Sequence, residues 1–294
     1  MDNRVGPSLF THERGEFHRA LIESGLLSIS ANGIATNADK GNKLSVAIAY
    51  DLADRLGATI AERQLAQTSG SNFEALICDF VKSTFPRLQT IRPGKWEVLH
   101  LGNRSSVSAS KFAQYEHLEY LSLLTRENSR LKTIIGNDYM VAPDVVVYRG
   151  LYTDEELNDP VYLVDDNSAL QASLRERNGG RPILHASISA KWTMRSDRAQ
   201  NSRTEALNLI RNRKGSLPHI VVVTGEPTPS RLASLALGTG DIDCMYHVAL
   251  YELRDAVTKI ARERNRPEIE ELLETLIEGK RLKDISDLPL DLCV

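Results

Sequence analysis

The chain contains little cysteine and no long apolar run, and each shortage excludes a class of protein. The cysteines number only three among 294 residues and stand in no metal-ligand spacing, at Cys78, Cys244 and Cys293. A scattered, odd-numbered set of this kind is typical of proteins of the reducing cytosol. No apolar stretch approaches the about 20 residues that span a membrane. The first residues also lack the basic and apolar regions of a signal peptide, so neither a membrane segment nor export is expected.

A large excess of positive charge is also missing. The net charge is −3, with 26% of the residues charged, so the protein as a whole is not a polycation. Any affinity for a polyanion must therefore come from a local patch. The hydrophobic fraction of 41% is ordinary for a globular protein that buries a substantial core.

Apolar periodicity predicts both helices and strands. The predicted helices cover Phe10 to Leu27, Leu44 to Leu56, Asn72 to Phe85 and a long segment between Phe112 and Ile135. The predicted strands cover Ala142 to Arg149, Pro182 to Trp192 and His219 to Pro227, and Ile242 to Arg264 begins as a strand or turn before becoming a helix. This alternation predicts an α/β fold with a mixed central β-sheet flanked by helices. Because no repeat or long linker interrupts the chain, we expect one domain over residues 1–294.

The third predicted strand carries unlike residues on its two faces. One face holds Ser187, Ser189 and Lys191, and the other holds Ile188, Ala190 and Trp192. We expect the apolar face to contact the core and the other face to look onto a polar region. A single lysine at the end of a strand commonly snorkels to solvent, so a functional interpretation of this one requires partners.

Two acidic residues are the candidate partners of Lys191. Asp144 stands at the beginning of the valine-rich strand, and Glu205 shares one face of the predicted helix that follows Asp197. A helix packed on the sheet would bring Glu205 towards Lys191 and Asp144. Carboxylates suit Mg²⁺, and a neighbouring lysine can orient or acidify a metal-bound water. A structural ion pair at the edge of a sheet would explain the same residues.

The segment that contains Lys191 and Glu205 is rich in positive charge. Between residues 181 and 214, eight lysines and arginines face only Asp197 and Glu205, which gives a local charge of +6. A solvated helix would explain such a run, whereas a phosphodiester substrate explains its position beside a metal site. In "RSDR", Arg195 and Arg198 could bond guanine and Asp197 could accept from cytosine. Asp197 could equally be the N-cap of the following helix.

Several motifs together resemble a known nuclease family. Pro143-Asp144, Ser189-Ala190-Lys191 and Glu205 are similar to the permuted PD-(D/E)XK site of type II restriction endonucleases that cut around a CCGG core. The resemblance continues in order through "FTHERGEFHRALIESG", "QTSGSNFEALICDFV", "TIRPGKWEV", "HIVVVTGEPTPSR" and "GKRLKDISDLPLDL", which covers nearly the whole chain. It implies a restriction-endonuclease-like core.

The resemblance implies roles for individual residues. The catalytic residues would be Glu74, Asp144, Lys191 and Glu205. Asp144 would be the central Mg²⁺ ligand, and the backbone carbonyl of Ala190 would complete the inner shell. Glu205 and Glu74 would bind through metal waters, while Lys191 would hold the attacking water. Arg195, Asp197 and Arg198 would read the inner CCGG, and Gln67 and Arg231 would read the outer base pair.

The resemblance also implies partners and a product. It implies recognition of GCCGGC in double-stranded DNA and a cut after the first G, which leaves 5′ overhangs. A homotetramer built as a dimer of dimers, a cognate DNA methyltransferase and a bacterial cytoplasmic location are the further expectations. A DNA-binding protein without cleavage activity is the main alternative, and a repair nuclease of the same superfamily is a third possibility.

The remaining polar features are predicted to be structural. His185, His219 and His247 lie in apolar strands and are expected to be core or edge histidines, and Cys78 lies on the apolar stripe of its helix. Gly238 and Gly240 resemble part of a phosphate-binding loop, but the strand–loop–helix context and the Walker lysine are missing. We expect no nucleotide cofactor.

Overall fold

The computed structural model of the chain describes residues 6–60, 66–101, 108–128, 130, 133, 143–238 and 240–294. The strands are β1 (Trp96–His100), β2 (Val145–Arg149), β3 (Ile183–Lys191), β4 (His219–Thr224), β5 (Cys244–His247) and β6 (Leu282–Asp284). The helices are α1 (Leu9–Glu23), α2 (Lys43–Arg55), α3 (Ala66–Thr84), α4 (His117–Glu127), α5 (Asp154–Leu157), α6 (Ser196–Asn212), α7 (Pro229–Ala236), α8 (Leu250–Glu263), α9 (Pro267–Glu278) and α10 (Leu288–Asp291).

The strands form one mixed sheet in the order β1-β2-β3-β4-β5-β6. Strand β2 is antiparallel to both of its neighbours, β1 and β3, whereas β3 to β6 run parallel. Helix α3 packs against β1, β2 and β3, and α8 packs against α2, α9 and β6. The predicted α/β class with a mixed, helix-flanked sheet is therefore confirmed.

Residue choice explains why the central strands lie where they do. In β2 the three valines are completely buried, and β4 is buried from Ile220 to its end. Such continuous β-branched runs suit strands that are covered on both faces. In α3 the predicted apolar stripe is confirmed, because Phe73, Ile77 and Val81 are buried against the sheet. Cys78 is buried in the same helix and fills space there, as predicted.

The helix predicted between Phe112 and Ile135 begins later than predicted. Within the described residues, helical structure covers α4 and recurs at Arg130 and Thr133, and short 3₁₀ segments at Ser108–Lys111 and Ala113–Tyr115 precede it. In the second of these segments, the buried side chain of Gln114 binds both backbone groups of Leu184 in β3, at 2.7 and 3.0 Å. The remainder of the predicted helix lies largely outside the described residues.

The strand histidines are structural, as predicted. His247 is fully buried, and its Nδ1 accepts the backbone N–H of Ala249 at 3.0 Å. His185 donates from Nε2 to the carbonyl of Leu292 at 2.6 Å, which ties the C-terminal segment to β3. His219 lies edge-on to His185, with the ring centroids 5.0 Å apart.

No helix in the described part of the chain is long and apolar enough to cross a membrane.

Burial of His247 should make folding sensitive to acid. Burial lowers the pKa of His247 to about 4, whereas an unfolded histidine titrates near about 6.5. Between these pH values the unfolded chain binds the proton and the folded chain does not. The contribution of neutral, buried His247 to the free energy of unfolding is therefore fully present above pH 6.5. It declines by up to about 3 kcal/mol as the pH falls towards 4. Urea unfolding at a series of pH values measures this slope.

A matched histidine provides the control for this measurement. His247→Gln should unfold with a shallower dependence on pH than the parent protein, whatever its absolute stability. His12→Gln should leave the slope unchanged, because the His12 side chain is 56% exposed. An unchanged slope in His247→Gln would show that other groups cause the acid sensitivity.

Candidate active site

Asp144 and Lys191 meet where β2 begins and β3 ends. Asp144 directly precedes β2, and the antiparallel pairing of β2 with β3 places Val145 opposite Ile188. The carboxylate oxygen Oδ2 of Asp144 accepts the backbone N–H of Ala190 at 2.7 Å and a hydrogen bond from Lys191 Nζ at 3.0 Å. Both side chains are about one-sixth exposed, at 17% and 15%. The lysine therefore points into a half-buried acidic site and does not snorkel.

Glu205 reaches the same site from α6. Its Oε2 lies 4.0 Å from Lys191 Nζ and accepts a hydrogen bond of 3.3 Å from Ser189 Oγ. The apolar side chains Ala206 and Leu209 are buried on the same helix and hold it on the core. The predicted convergence of Asp144, Lys191 and Glu205 is thus present in the structure.

Glu74 approaches from a third direction, on α3. Its neighbours Phe73 and Ile77 are buried, so the helix presents Glu74 at the border of the core. Its Oε2 lies 2.7 Å from Nε2 of His100, the last residue of β1. No motif in the sequence analysis pointed to His100.

The charges in this cluster influence one another strongly. Burial alone would lower the pKa of Lys191, but the attraction of Asp144 and Glu205 outweighs it and raises that pKa. The ammonium group therefore stays charged. Burial raises the pKa of Glu205, and the repulsion from Asp144 adds to this against the attraction of Lys191. Carboxylates outnumber the one ammonium group, so the cluster attracts cations.

The predicted inner base-reading residues lie at the start of α6. The helix begins at Ser196 with Arg195 as its N-cap residue. Asp197 therefore lies in the first helical turn, and the alternative that it is the N-cap is wrong. The side chains of Asp197 and Arg198 lie outside the described residues. Arg195 is exposed.

A buried carboxylate holds the loop before Arg195. Glu226 is fully buried, and its Oε2 accepts the backbone N–H of Met194 at 2.8 Å. The same oxygen lies 3.8 Å from Nη1 of Arg231, which also pairs with Asp39. Arg231, the predicted reader of the outer base pair, is therefore near the loop that carries Arg195. Gln67 lies in the first turn of α3, but its side chain is outside the described residues.

The run of basic residues divides into parts with different contacts. Arg181 pairs with Glu119 at 2.7 Å, and Arg203 donates to the carbonyl of Ser234 at 2.8 Å. Arg211 is exposed at the far end of the 17-residue helix, about 24 Å from Arg195 at 1.5 Å per residue. Among the described side chains of the run, Arg181 and Arg203 thus contact other elements, and Arg211 lies far from Arg195.

Comparison with known proteins adds a direct relationship. A family model described as "NgoMIV restriction enzyme" matches residues 17–294. The chain belongs to the NgoMIV restriction enzyme family. A curated relative, the type II restriction enzyme NgoMIV of Neisseria gonorrhoeae, is 52% identical over 287 residues, which cover 97% of this chain and 99% of the relative. The predicted family, the restriction-endonuclease-like fold and the type II restriction endonuclease class are confirmed.

The donor set of this NgoMIV-family chain fits a hard divalent cation. Carboxylate oxygens are the ligands that Mg²⁺ prefers, and it usually takes one or two of them together with waters and substrate phosphates. Within the described ranges, no three or more His, Cys, Asp or Glu side chains are already gathered closely enough to hold a metal ion by themselves. The Asp144 carboxylate lies at the centre of the cluster, and Glu205 on α6 and Glu74 on α3 approach it from neighbouring helices.

Three contacts of this NgoMIV-family site escaped the sequence analysis. They are His100 with Glu74, Asp39 with Arg231, and Glu226 with the backbone of Met194. The members of these pairs are separated by 26, 192 and 32 residues. No local spacing signal relates residues so far apart. Only covariation among homologues could have indicated such pairs.

Proposed function

We propose that this NgoMIV-family enzyme is a Mg²⁺-dependent endonuclease that cuts both strands of DNA at a palindromic CCGG-core site. The proposed site is GCCGGC, cut after the first G to leave 5′ overhangs. The observation that carries the proposal is the Asp144 carboxylate, which binds Ala190 N–H and the Lys191 ammonium beside Glu205.

Each side chain of the cluster has a proposed task. Asp144, the carbonyl of Ala190, Glu205 and Glu74 would hold the cation, which supplies Lewis-acid stabilisation of the phosphate charge. Lys191 stays protonated, so it donates a hydrogen bond to the attacking water and favours its loss of a proton electrostatically. Arg195, Asp197 and Arg198 would read the inner base pairs, and Gln67 and Arg231 the outer pair.

A DNA-binding protein without cleavage activity is the competing function. Clustered carboxylates repel phosphate, and a protein that only binds DNA gains nothing from three of them around a lysine. The acidic cluster therefore favours the nuclease.

Digestion of a sequenced plasmid with Mg²⁺, followed by mapping of the ends, tests the proposal. We expect cuts after the first G of GCCGGC in both strands. A plasmid in which the site is changed to ACCGGT keeps the CCGG core and should remain uncut. Cleavage of both plasmids would show that the outer base pair is not read, and intact DNA in both would favour the binding protein.

The two ends of α6 should contribute differently to DNA recognition. Arg195→Ala, if Arg195 binds guanine in a bidentate manner, should lose about 1–3 kcal/mol and relax discrimination at that base pair. Arg211→Ala should weaken binding to all sequences about equally and flatten the salt dependence, if Arg211 contacts only phosphate. Titrations of cognate and single-mismatch duplexes at several salt concentrations measure both effects. Identical behaviour of the two variants would refute this division.

We also propose that the protein works as a homotetramer. A palindrome presents the same edges twice, so double-strand cleavage in one encounter needs at least a two-fold dimer. Exposed apolar side chains on α4, Tyr120 and Leu123, are consistent with a further interface, whereas Leu288 and Leu292 of the C-terminal segment pack within the monomer. A cognate methyltransferase and a bacterial cytoplasmic location also stay predictions.

Plasmids with one and two sites test the assembly. A tetramer that holds two DNA copies should cut the two-site plasmid faster and release fully linear products together. Sedimentation should show the tetramer in solution. A stable dimer with equal rates on both plasmids would contradict it.

A further inference from the structure

We propose that His100 is a positioning residue of the active site, which holds the Glu74 carboxylate towards Asp144 and Lys191. The proposal rests on the nuclease function proposed above. It assigns a role to a side chain to which no sequence motif pointed.

The backbone of His100 is tied directly to the catalytic acid. His100 ends β1 and lies opposite Val145, the residue that follows Asp144. The next residue, Leu101, donates its backbone N–H to the carbonyl of Asp144 at 3.0 Å. Hydrogen-bonded neighbours in adjacent strands move together, so the backbone of His100 has a fixed position relative to Asp144.

The imidazole in turn determines where Glu74 points. The Nε2 atom of His100 lies 2.7 Å from Oε2 of Glu74, and the two side chains are 28% and 20% exposed. A glutamate on a helix can adopt several rotamers. One strong hydrogen bond selects a single rotamer only if the partner group is itself held in place. His100 meets this condition through the sheet.

Electrostatics would otherwise drive Glu74 away from the site. Asp144 and Glu205 repel a third carboxylate, and the Lys191 ammonium is already shared between them at 3.0 and 4.0 Å. Without a partner on its own side, Glu74 would lower its energy by turning towards solvent. The hydrogen bond from His100 opposes that rotation, so the carboxylate is in place before DNA and metal arrive.

The position of His100 argues against a purely structural role. The strand histidines His185 and His247 bind backbone groups, whereas His100 binds a side chain of the cluster. A partner of this kind around a metal site typically changes metal affinity or activity by about 10–100-fold when removed.

The test combines three variants with two measurements. His100→Ala removes the hydrogen-bond donor, His100→Gln keeps an amide donor of similar reach, and His12→Ala is the control at an exposed histidine. Single-turnover cleavage is followed over a series of Mg²⁺ concentrations. DNA affinity is measured separately over a series of Ca²⁺ concentrations, which reports metal-dependent assembly without cleavage.

We expect His100→Ala to cleave about 10–100-fold more slowly at limiting Mg²⁺ and to need more Ca²⁺ for tight DNA binding. At saturating Ca²⁺ its DNA affinity should equal that of the parent protein. His100→Gln should recover most of both losses, and His12→Ala should behave as the parent protein does.

A double-mutant cycle shows whether His100 acts through Glu74. If it does, His100→Ala combined with Glu74→Ala should be no slower than Glu74→Ala alone. Fully additive losses would overturn the proposal, as would a normal metal response of His100→Ala. A parent protein that binds DNA in Ca²⁺ but never cuts in Mg²⁺ would instead overturn the nuclease function, and the Ca²⁺ series would still decide the role of His100.

Discussion

Asp144→Ala should abolish cleavage while leaving DNA binding intact. The variant loses the carboxylate that binds both the Ala190 N–H and the Lys191 ammonium, and with it the proposed central metal ligand. Binding in Ca²⁺ or without metal should survive, because removal of a negative charge eases the approach of phosphate. Plasmid cleavage in Mg²⁺ and gel-shift titration of a cognate duplex measure the two properties.

Two further variants sharpen this result. Asp144→Asn keeps the shape and hydrogen-bond acceptor of the side chain, so its inactivity would assign the loss to charge and not to a disturbed strand end. Asp255→Ala removes an aspartate that is 67% exposed and pairs with Arg55 on the surface, and it should cleave normally. Full activity of Asp144→Ala would refute the assignment of the site.

Lys191→Ala should also lose cleavage, by about 10²–10³-fold, the range for the loss of one hydrogen-bond donor that stabilises charge in the transition state. Its ammonium group is charged and directed at the carboxylates, so alanine removes the proposed hydrogen bond to the attacking water. DNA binding by Lys191→Ala without metal should weaken, whereas that of Asp144→Ala should not. The reason is that the remaining carboxylates repel phosphate once the positive charge of Lys191 is removed. The same cleavage and gel-shift measurements apply.

Lys283 is the matched control for a lysine in a structural ion pair. It lies in β6 and pairs with Asp291 at 2.6 Å, with 29% of its side chain exposed. Lys283→Ala should retain cleavage, since such pairs contribute little beyond stability. Equal cleavage by the Lys191 and Lys283 variants would mean that Lys191 is only part of an ion pair.

Local patterns were sufficient for much of the fold and the centre of the site. A helical stripe identified α3, and valine runs identified β2 and β4. The period of two placed Lys191 on the polar face of β3, and helical spacing turned Glu205 to the sheet. Each of these predictions depended on side chains close together in the sequence, where backbone geometry alone relates them.

Two differences from the predictions involve groups that are distant in sequence. Where a helix was predicted from Phe112, a short 3₁₀ segment forms in which Gln114 binds the backbone of β3. The basic run was divided because Arg181 and Arg203 bind other elements. Hydrogen bonds of this kind override local preference, since an unpaired buried polar group costs more than a lost helical turn.

The sequence by itself therefore determined the family, the α/β class with its central strands, and the residues Asp144, Lys191 and Glu205. Only the tertiary structure decided what surrounds them, namely His100 beside Glu74, Asp39 beside Arg231 and Glu226 beneath the loop before Arg195. The physical reason is the same in each case. The periodicity of a sequence indicates on which face of its own helix or strand a side chain lies. Which charges and hydrogen-bonding groups pair between different helices and strands depends on how the sheet and helices pack.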